Sequence, residues 1–274
     1  MVKNKKIIAF ISAVLFLIVL FIGSIFLLRS ETKNEKIGWI TDIHAGNGVR
    51  KMNMGTELED ILYPGKYKEY LNIVIDKMKK EGVDVIVATG DNTNLTNKKK
   101  AETLKSIEKE KNIKIVWVRG NHDFDLDENK NIMPILGVLD NNYVYDTKNV
   151  RIIGLDINFN GPEFSKENLK WLEEKLSETN LPVIIAMHMP IIDYESDTIY
   201  PQFKELGNII KSSGKVKHVI SGHLHREYEG NLGGIIYKTG YPLVKKDHMG
   251  SYYVFEFDNK YKEYLCKKIG KIRL

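Results

Sequence analysis

The hydrophobic pattern changes character once along the chain. From Ile7 to Leu28 no residue is charged, and only Ser12, Gly23 and Ser24 interrupt the apolar run. At about 1.5 Å rise per residue, a helix of that length reaches roughly 33 Å, enough to cross a hydrocarbon core about 30 Å thick. A core helix would alternate polar and apolar faces, and this run does not. A cleaved signal peptide would have a shorter apolar region ending in a small-x-small site. The pattern therefore predicts one N-terminal transmembrane helix over 7–28, with a cytoplasmic tail at 1–6 and a linker at 29–36.

Beyond the linker, short runs rich in Val and Ile alternate with helical stripes. The runs 36–41, 83–89, 113–118, 182–187 and 216–221 are nearly continuous, as expected for strands buried on both faces. Between them, Tyr67, Tyr70, Leu71, Val74, Ile75 and Met78 repeat at helical spacing. Leu169, Leu172 and Leu176 form a second stripe, with Ser165 placed as N-cap and Phe164 and Leu169 spaced for a hydrophobic staple. Phe203, Leu206 and Ile210 mark a third, and Lys98–Lys100 reads as a solvated helix start. Residues 143–146 with 150–156, and 251–257 with 261–267, read as antiparallel hairpins, the latter after a strand near 235–239. The pattern predicts one α/β domain over 37–274 with added hairpins.

The charged residues are unevenly placed along the chain. The 274 residues carry 41 basic and 36 acidic side chains, a net charge of +5. Six of the basic residues (Lys3, Lys5, Lys6, Arg29, Lys33, Lys36) and two of the acids (Glu31, Glu35) lie before residue 37. The body is therefore nearly neutral, with no aromatic-basic stripe, and nucleic acid is not expected as a partner. The compact lysine cluster before the apolar run favours a cytoplasmic N-terminus and an exported body. The single cysteine, Cys266, forms no intrachain disulfide.

Candidate chemistry appears where the strands end. Asp42 and His44 follow the first predicted strand, Asp91 the second, Asn121 and His122 the third, His188 the fourth, and His223 and His225 the fifth. Five of the seven histidines take such positions; His218 and His248 do not. Open α/β sheets bind ligands beyond the carboxyl ends of their strands. The set is imidazole, carboxylate and amide without thiolate, which suits Mn, Fe or Zn and not a cysteine-based structural zinc. It exceeds the needs of one ion with an open position, and fits two ions sharing a carboxylate.

Asp42-Ile43-His44, Gly90-Asp91-Asn92, Gly120-Asn121-His122-Asp123, His188 and Gly222-His223-Leu224-His225, in this order, resemble the calcineurin-like metallophosphoesterase superfamily. Each motif is weak alone; the ordered series spans most of the body. The resemblance implies a four-layer αββα sandwich of two mixed sheets. It implies a phosphoric ester hydrolase using two divalent metal ions and a metal-bridging hydroxide on a phosphomonoester or phosphodiester. Asp42, His44 and His225 would bind one metal, Asn121, His188 and His223 the other, and Asp91 both, with His122 as general acid. Asp123 would either orient His122 or cap its turn.

Residues 92–97 are more polar than the family's usual continuation after Gly-Asp. Residues 45–64 could bring Arg50 and Lys51 over the site or form a solvated loop. Arg226 is a further candidate for phosphate contact, while residues 189–200 and Asp247-His248 could line the rim. Gly46-Asn47-Gly48 is not a dinucleotide fingerprint. The rival function is a non-catalytic metal- or partner-binding domain of this fold; the presence of His122, which metal binding does not require, argues against it.

Overall fold

The computed structural model describes residues 34–53, 59–125, 130–156, 164–258 and 263–270. The predicted tail and transmembrane helix at 1–28 lie outside these residues. Among the described residues no helix is long and apolar enough to cross a membrane.

The main strands are β1 (Lys36–Ile40), β2 (Val85–Thr89), β3 (Lys114–Val118), β4 (Tyr143–Asp146), β5 (Arg151–Leu155) and β6 (Val183–Met187). They continue with β7 (Val216–Ser221), β8 (Tyr228–Leu232), β9 (Ile235–Thr239), β10 (Tyr252–Asp258) and β11 (Glu263–Gly270). One sheet has the order β11-β10-β1-β2-β3 and the other β8-β9-β7-β6-β5-β4. In the first, β1, β2 and β3 are parallel, β10 is antiparallel to β1, and β11 is antiparallel to β10. In the second, β5, β6, β7 and β9 are parallel and β4 and β8 are antiparallel edges. Both sheets are therefore mixed, as expected. The first strand includes Lys36, the last residue of the expected linker, and the Glu35 carboxylate accepts from Thr147 Oγ1 and Asn149 N.

The central strands are largely apolar because both of their faces are covered. Ile37, Trp39, Val85, Val87, Val116 and Val118 point into a core shared with Ile152, Ile184, Ala186 and Ile220 of the other sheet. Their neighbours Ile40, Ile86, Ala88, Ile115 and Trp117 point outward to helices α1 (Tyr67–Glu81) and α2 (Lys98–Glu110). Ile153, Ile185 and Met187 pack outward on α3 (Lys166–Ser177) and α4 (Lys204–Ser212). The period-2 alternation between two apolar layers produces the four-layer arrangement.

The helices follow local signals. All six residues of the predicted α1 stripe are buried. Ser165 caps α3 by accepting from Asn168 N, and both Phe164 and Leu169 are buried in the outer core. The helix begun by Lys98–Lys100 runs to Glu110, capped by the Asn97 side chain. Its Glu108 is buried and accepts from Trp117 Nε1 and Ile115 N, joining α2 to β3. Residues 45–64 are not simply a loop: Arg50–Asn53 pairs antiparallel with Glu59–Leu62.

Candidate metal centre

The chain leaves the ends of β1, β2, β3, β6 and β7 on one edge, and their backbones remain tied beyond the regular ladders. Asp42 N donates to Gly90 O, His44 N to Asp91 O and Ala45 N to Asn92 O. Gly222 N donates to His188 O, joining the second sheet's two loops. Asp42, His44, Asp91, His223 and His225 all have positive φ, between 44° and 69°. Such conformations are uncommon for residues other than glycine, and persist where the surroundings over-determine them. The glycine preceding a ligand-type residue serves close approach. A Cβ on Gly120 would lie 2.1 Å from Asp91 N, and one on Gly222 would lie 2.0 Å from Thr41 Oγ1. Neither position has room for a side chain.

Two groups of donors result. In the first, one atom each from Asp42, His44, Asp91 and His225 lies within 4.8 Å of all the others. His44 Nε2 is 3.1 Å from His225 Nε2, 3.6 Å from Asp91 Oδ2 and 3.8 Å from Asp42 Oδ1. His225 Nε2 is 3.4 Å from Asp42 Oδ1. In the second, Asn121 Oδ1 is 3.1 Å from His188 Nε2 and 3.2 Å from His223 Nδ1, and His188 Nε2 is 3.3 Å from Asp91 Oδ1. Asp91 thus turns one oxygen toward each group. All seven expected ligands come together, along with His122, whose Nε2 is 3.9 Å from Asp91 Oδ2.

The surroundings aim these atoms. Thr41 Oγ1 and His223 N donate to the Asp42 carboxylate, and His122 N donates to Asp91 Oδ1. His188 Nδ1–H donates to Thr89 O at 2.9 Å, leaving Nε2 toward Asp91 and Asn121. Asp123 does not reach toward the His122 ring. Its fully buried carboxylate accepts from Asn92 N, Thr93 N, Gly120 N and Asn92 Nδ2, tying the loop after β3 to the loop after β2. Of the two sequence alternatives, capping is the one realised.

Electrostatics favour cation binding. Burial disfavours charge on Asp42 and Asp91, but neighbouring imidazoles outweigh it and hold both below the usual carboxylate range: His225 for Asp42, His188 for Asp91. Burial lowers His44 to about 3, and burial together with His188 lowers His223 to about 4. Both imidazoles are neutral with lone pairs available. His188 is the opposite case, because Asp91 overcomes burial and raises it to about 9. His122 is lowered mainly by burial. Asp123 is raised to about 7 by burial and by Asp91, against the pull of its N–H donors. Two buried carboxylates facing imidazole nitrogens, with no thiolate, fit divalent metal ions.

Of the candidates in residues 45–64, Arg50 lies beside the cluster. Its strand carries it to the edge of the cluster, where Nη1 donates to Asn94 Oδ1 at 2.6 Å and stands 3.5 Å from His122 Nδ1. Register within the 50–62 hairpin decides this, and loop composition does not reveal register. Arg226 is exposed, with its guanidinium 5.8 Å from the centre of the Tyr194 ring.

The sequence profile of calcineurin-like phosphoesterases matches residues 35–227. The chain is 27% identical over 218 residues to a 3',5'-cyclic-nucleotide phosphodiesterase of Nostoc sp., covering 74% of this chain and 78% of that protein. It is 22% identical, again over 218 residues, to a protein of Psychrobacter arcticus named a probable cyclic nucleotide phosphodiesterase, covering 73% of this chain and 77% of that one. Among solved structures, a dimetal phosphatase of Danio rerio superposes with a TM-score of 0.66 at 15% identity, over 81% of this chain and 92% of that one. GAP50, the anchor in the inner membrane complex of Plasmodium, has a TM-score of 0.57 at 16% identity, over 88% and 90% of the two chains. Those two likenesses concern the fold alone. With the profile spanning most of the chain, and the Asp/His cluster at the strand ends, the protein belongs to the calcineurin-like phosphoesterase family and is a metal-dependent phosphoric ester hydrolase.

Proposed function

We propose that this chain is a membrane-anchored dinuclear phosphoesterase acting on nucleotide-type phosphodiesters. Asp42, His44 and His225 would hold one divalent ion and Asn121, His188 and His223 the other, with Asp91 available to both. The observation that carries this reading is the division of the Asp91 carboxylate, one oxygen toward His44 and the other toward His188. Divalent ions in such a site supply Lewis acidity toward phosphoryl oxygens and lower the pKa of water.

The chain's own groups do the rest. Neutral His44 and His223 offer lone pairs, and the Thr89 carbonyl fixes the direction of His188. The His122 backbone is pinned to Asp91 Oδ1, which keeps its ring beside the shared carboxylate. Its partly exposed side chain is placed to deliver a proton to the leaving-group oxygen. Burial holds His122 below its ordinary pKa, and an arriving phosphate ester brings negative charge that favours the protonated form.

Nucleotide phosphodiesters are taken as the substrate class because both sequence relatives are named for cyclic nucleotides. The uncharged run at 7–28, with Lys3, Lys5 and Lys6 before it, supports a signal anchor with the catalytic domain outside the cytoplasm. Reloading metal-depleted protein with Mn, Fe or Zn and assaying an aryl phosphodiester against its monoester tests the chemistry. Turnover is expected with at least one metal, with Asp91→Asn and His122→Ala each losing about a hundredfold or more. Wild-type rates in those variants would refute the assignment. A compartment-sensitive reporter at the C-terminus tests the topology, and a cytoplasmic signal would contradict it.

A further inference from the structure

We propose that Arg50 is a substrate-contacting residue that grips a phosphoryl oxygen beside His122; this rests on the phosphoesterase reading above. The described arginines of the domain differ in how their charge is met. Arg119 is paired with Asp156, and Arg151 is paired with Asp146. Arg226 is exposed and lies over Tyr194. Arg50 is half-buried, and among the residues whose side chains are described no carboxylate is paired with it. Its two polar contacts, the Asn94 amide oxygen at 2.6 Å and His122 Nδ1 at 3.5 Å, are with neutral acceptors. A guanidinium withdrawn from water without a counter-ion is costly, and an anion at its remaining N–H groups relieves that cost.

The position is built and not incidental. Arg50 pairs with the fully buried Leu62, which itself bridges to Lys245, and Tyr63 N donates to Val244 O. The base of the hairpin is therefore fastened to the domain. Asn94 is fixed in turn, its N donating to Ala45 O, and Thr96 N donates to His122 O. The polar stretch 92–97, unusual after Gly-Asp, thus has a role: it carries the clamp for the guanidinium and holds the His122 backbone. In the neutral ring His122 Nδ1 accepts from the guanidinium, which only donates; a bound phosphoryl anion would take over that donor when the ring is protonated. One cation therefore orients the proposed acid and presents donors to the same anion.

Coulomb attraction scales with charge, so a dianionic monoester gains more from Arg50 than a monoanionic diester. The test uses the full-length protein, metal-loaded, as wild type, Arg50→Ala and Arg50→Lys. Inorganic phosphate affinity is measured by calorimetry, and kcat and KM are measured on an aryl monoester and its diester. Arg50→Ala should weaken phosphate binding about tenfold or more, with metal content unchanged, and should lose more activity on the monoester than on the diester. Added guanidinium should restore part of that activity, and Arg50→Lys should recover phosphate binding better than catalysis. Unchanged phosphate affinity in Arg50→Ala would overturn the proposal, as would an equal loss on both esters without guanidinium rescue. A wild-type protein that binds phosphate but hydrolyses neither ester would refute the enzymatic reading, while the phosphate comparison would still decide the role of Arg50.

Discussion

His188, His44 and His223 share one site and shift in opposite senses: burial prevails at His44 and His223, while Asp91 outweighs burial at His188. His188 has its pKa raised from 6.5 to about 9, so in metal-free protein its stabilising contribution is full below pH 6.5 and is lost as pH rises through about 9. His44 and His223 are lowered to about 3 and 4, so folding is progressively disfavoured as pH falls below 6.5 toward those values. Denaturation of the metal-free protein should therefore show greatest stability near pH 6.5, and His188→Gln should flatten the alkaline limb. A profile that keeps rising to pH 9 would contradict this. Asp123 makes a second prediction. Asp123→Ala strands three backbone N–H groups and the Asn92 amide, and should cost about 2–4 kcal/mol by chemical denaturation. The ligand-type residues were legible because their chemistry is rare at the ends of apolar runs. The roles of Asp123 and Arg50 were not, since each depends on which distant loop closes against it.

At the scale of elements, legibility followed burial. β1, β2, β3, β6 and β7 could be read because both faces meet apolar layers, leaving runs such as Val85–Thr89 without polar interruption. Most of α2 was obscured by its charged surface, and only its lysine-rich start was visible. The short strand pairs Arg50–Asn53 with Glu59–Leu62 and Ile192–Asp193 with Thr198–Ile199 leave little mark on the sequence, and the first is supported by a bridge from Leu62 to Lys245 of another loop. Where two loops cross, tight backbone approach replaces side-chain packing, and Gly222 is the sharpest instance. Gly222→Ala must displace Thr41 or Asp42, whose Oδ2 would stand 2.3 Å from the new carbon. Weaker metal binding and a lower Tm are expected together, by metal titration and calorimetry. Wild-type affinity in this variant would show that the β1 and β7 loops are more yielding than the structure implies.

Over the whole molecule, two sheets back to back bring five strand ends to one edge, and the histidines there come from both sheets. His44 and Asp91 belong to one sheet's loops, His188, His223 and His225 to the other's, so the centre joins the two halves of the sandwich. Metal removal should therefore loosen the contact between the sheets as well as abolish turnover, read as a fall in Tm on chelation that added metal reverses. The net charge of +5 bears on the N-terminal 36 residues and hardly on this edge. If Asp91 serves two ions, its carboxylate lies between them. Anomalous diffraction from crystals of the manganese-loaded protein tests it most directly. Two peaks about 3.5–4 Å apart, with the Asp91 carboxylate between them, are the predicted result; a single peak, or two peaks that do not share Asp91, would contradict it.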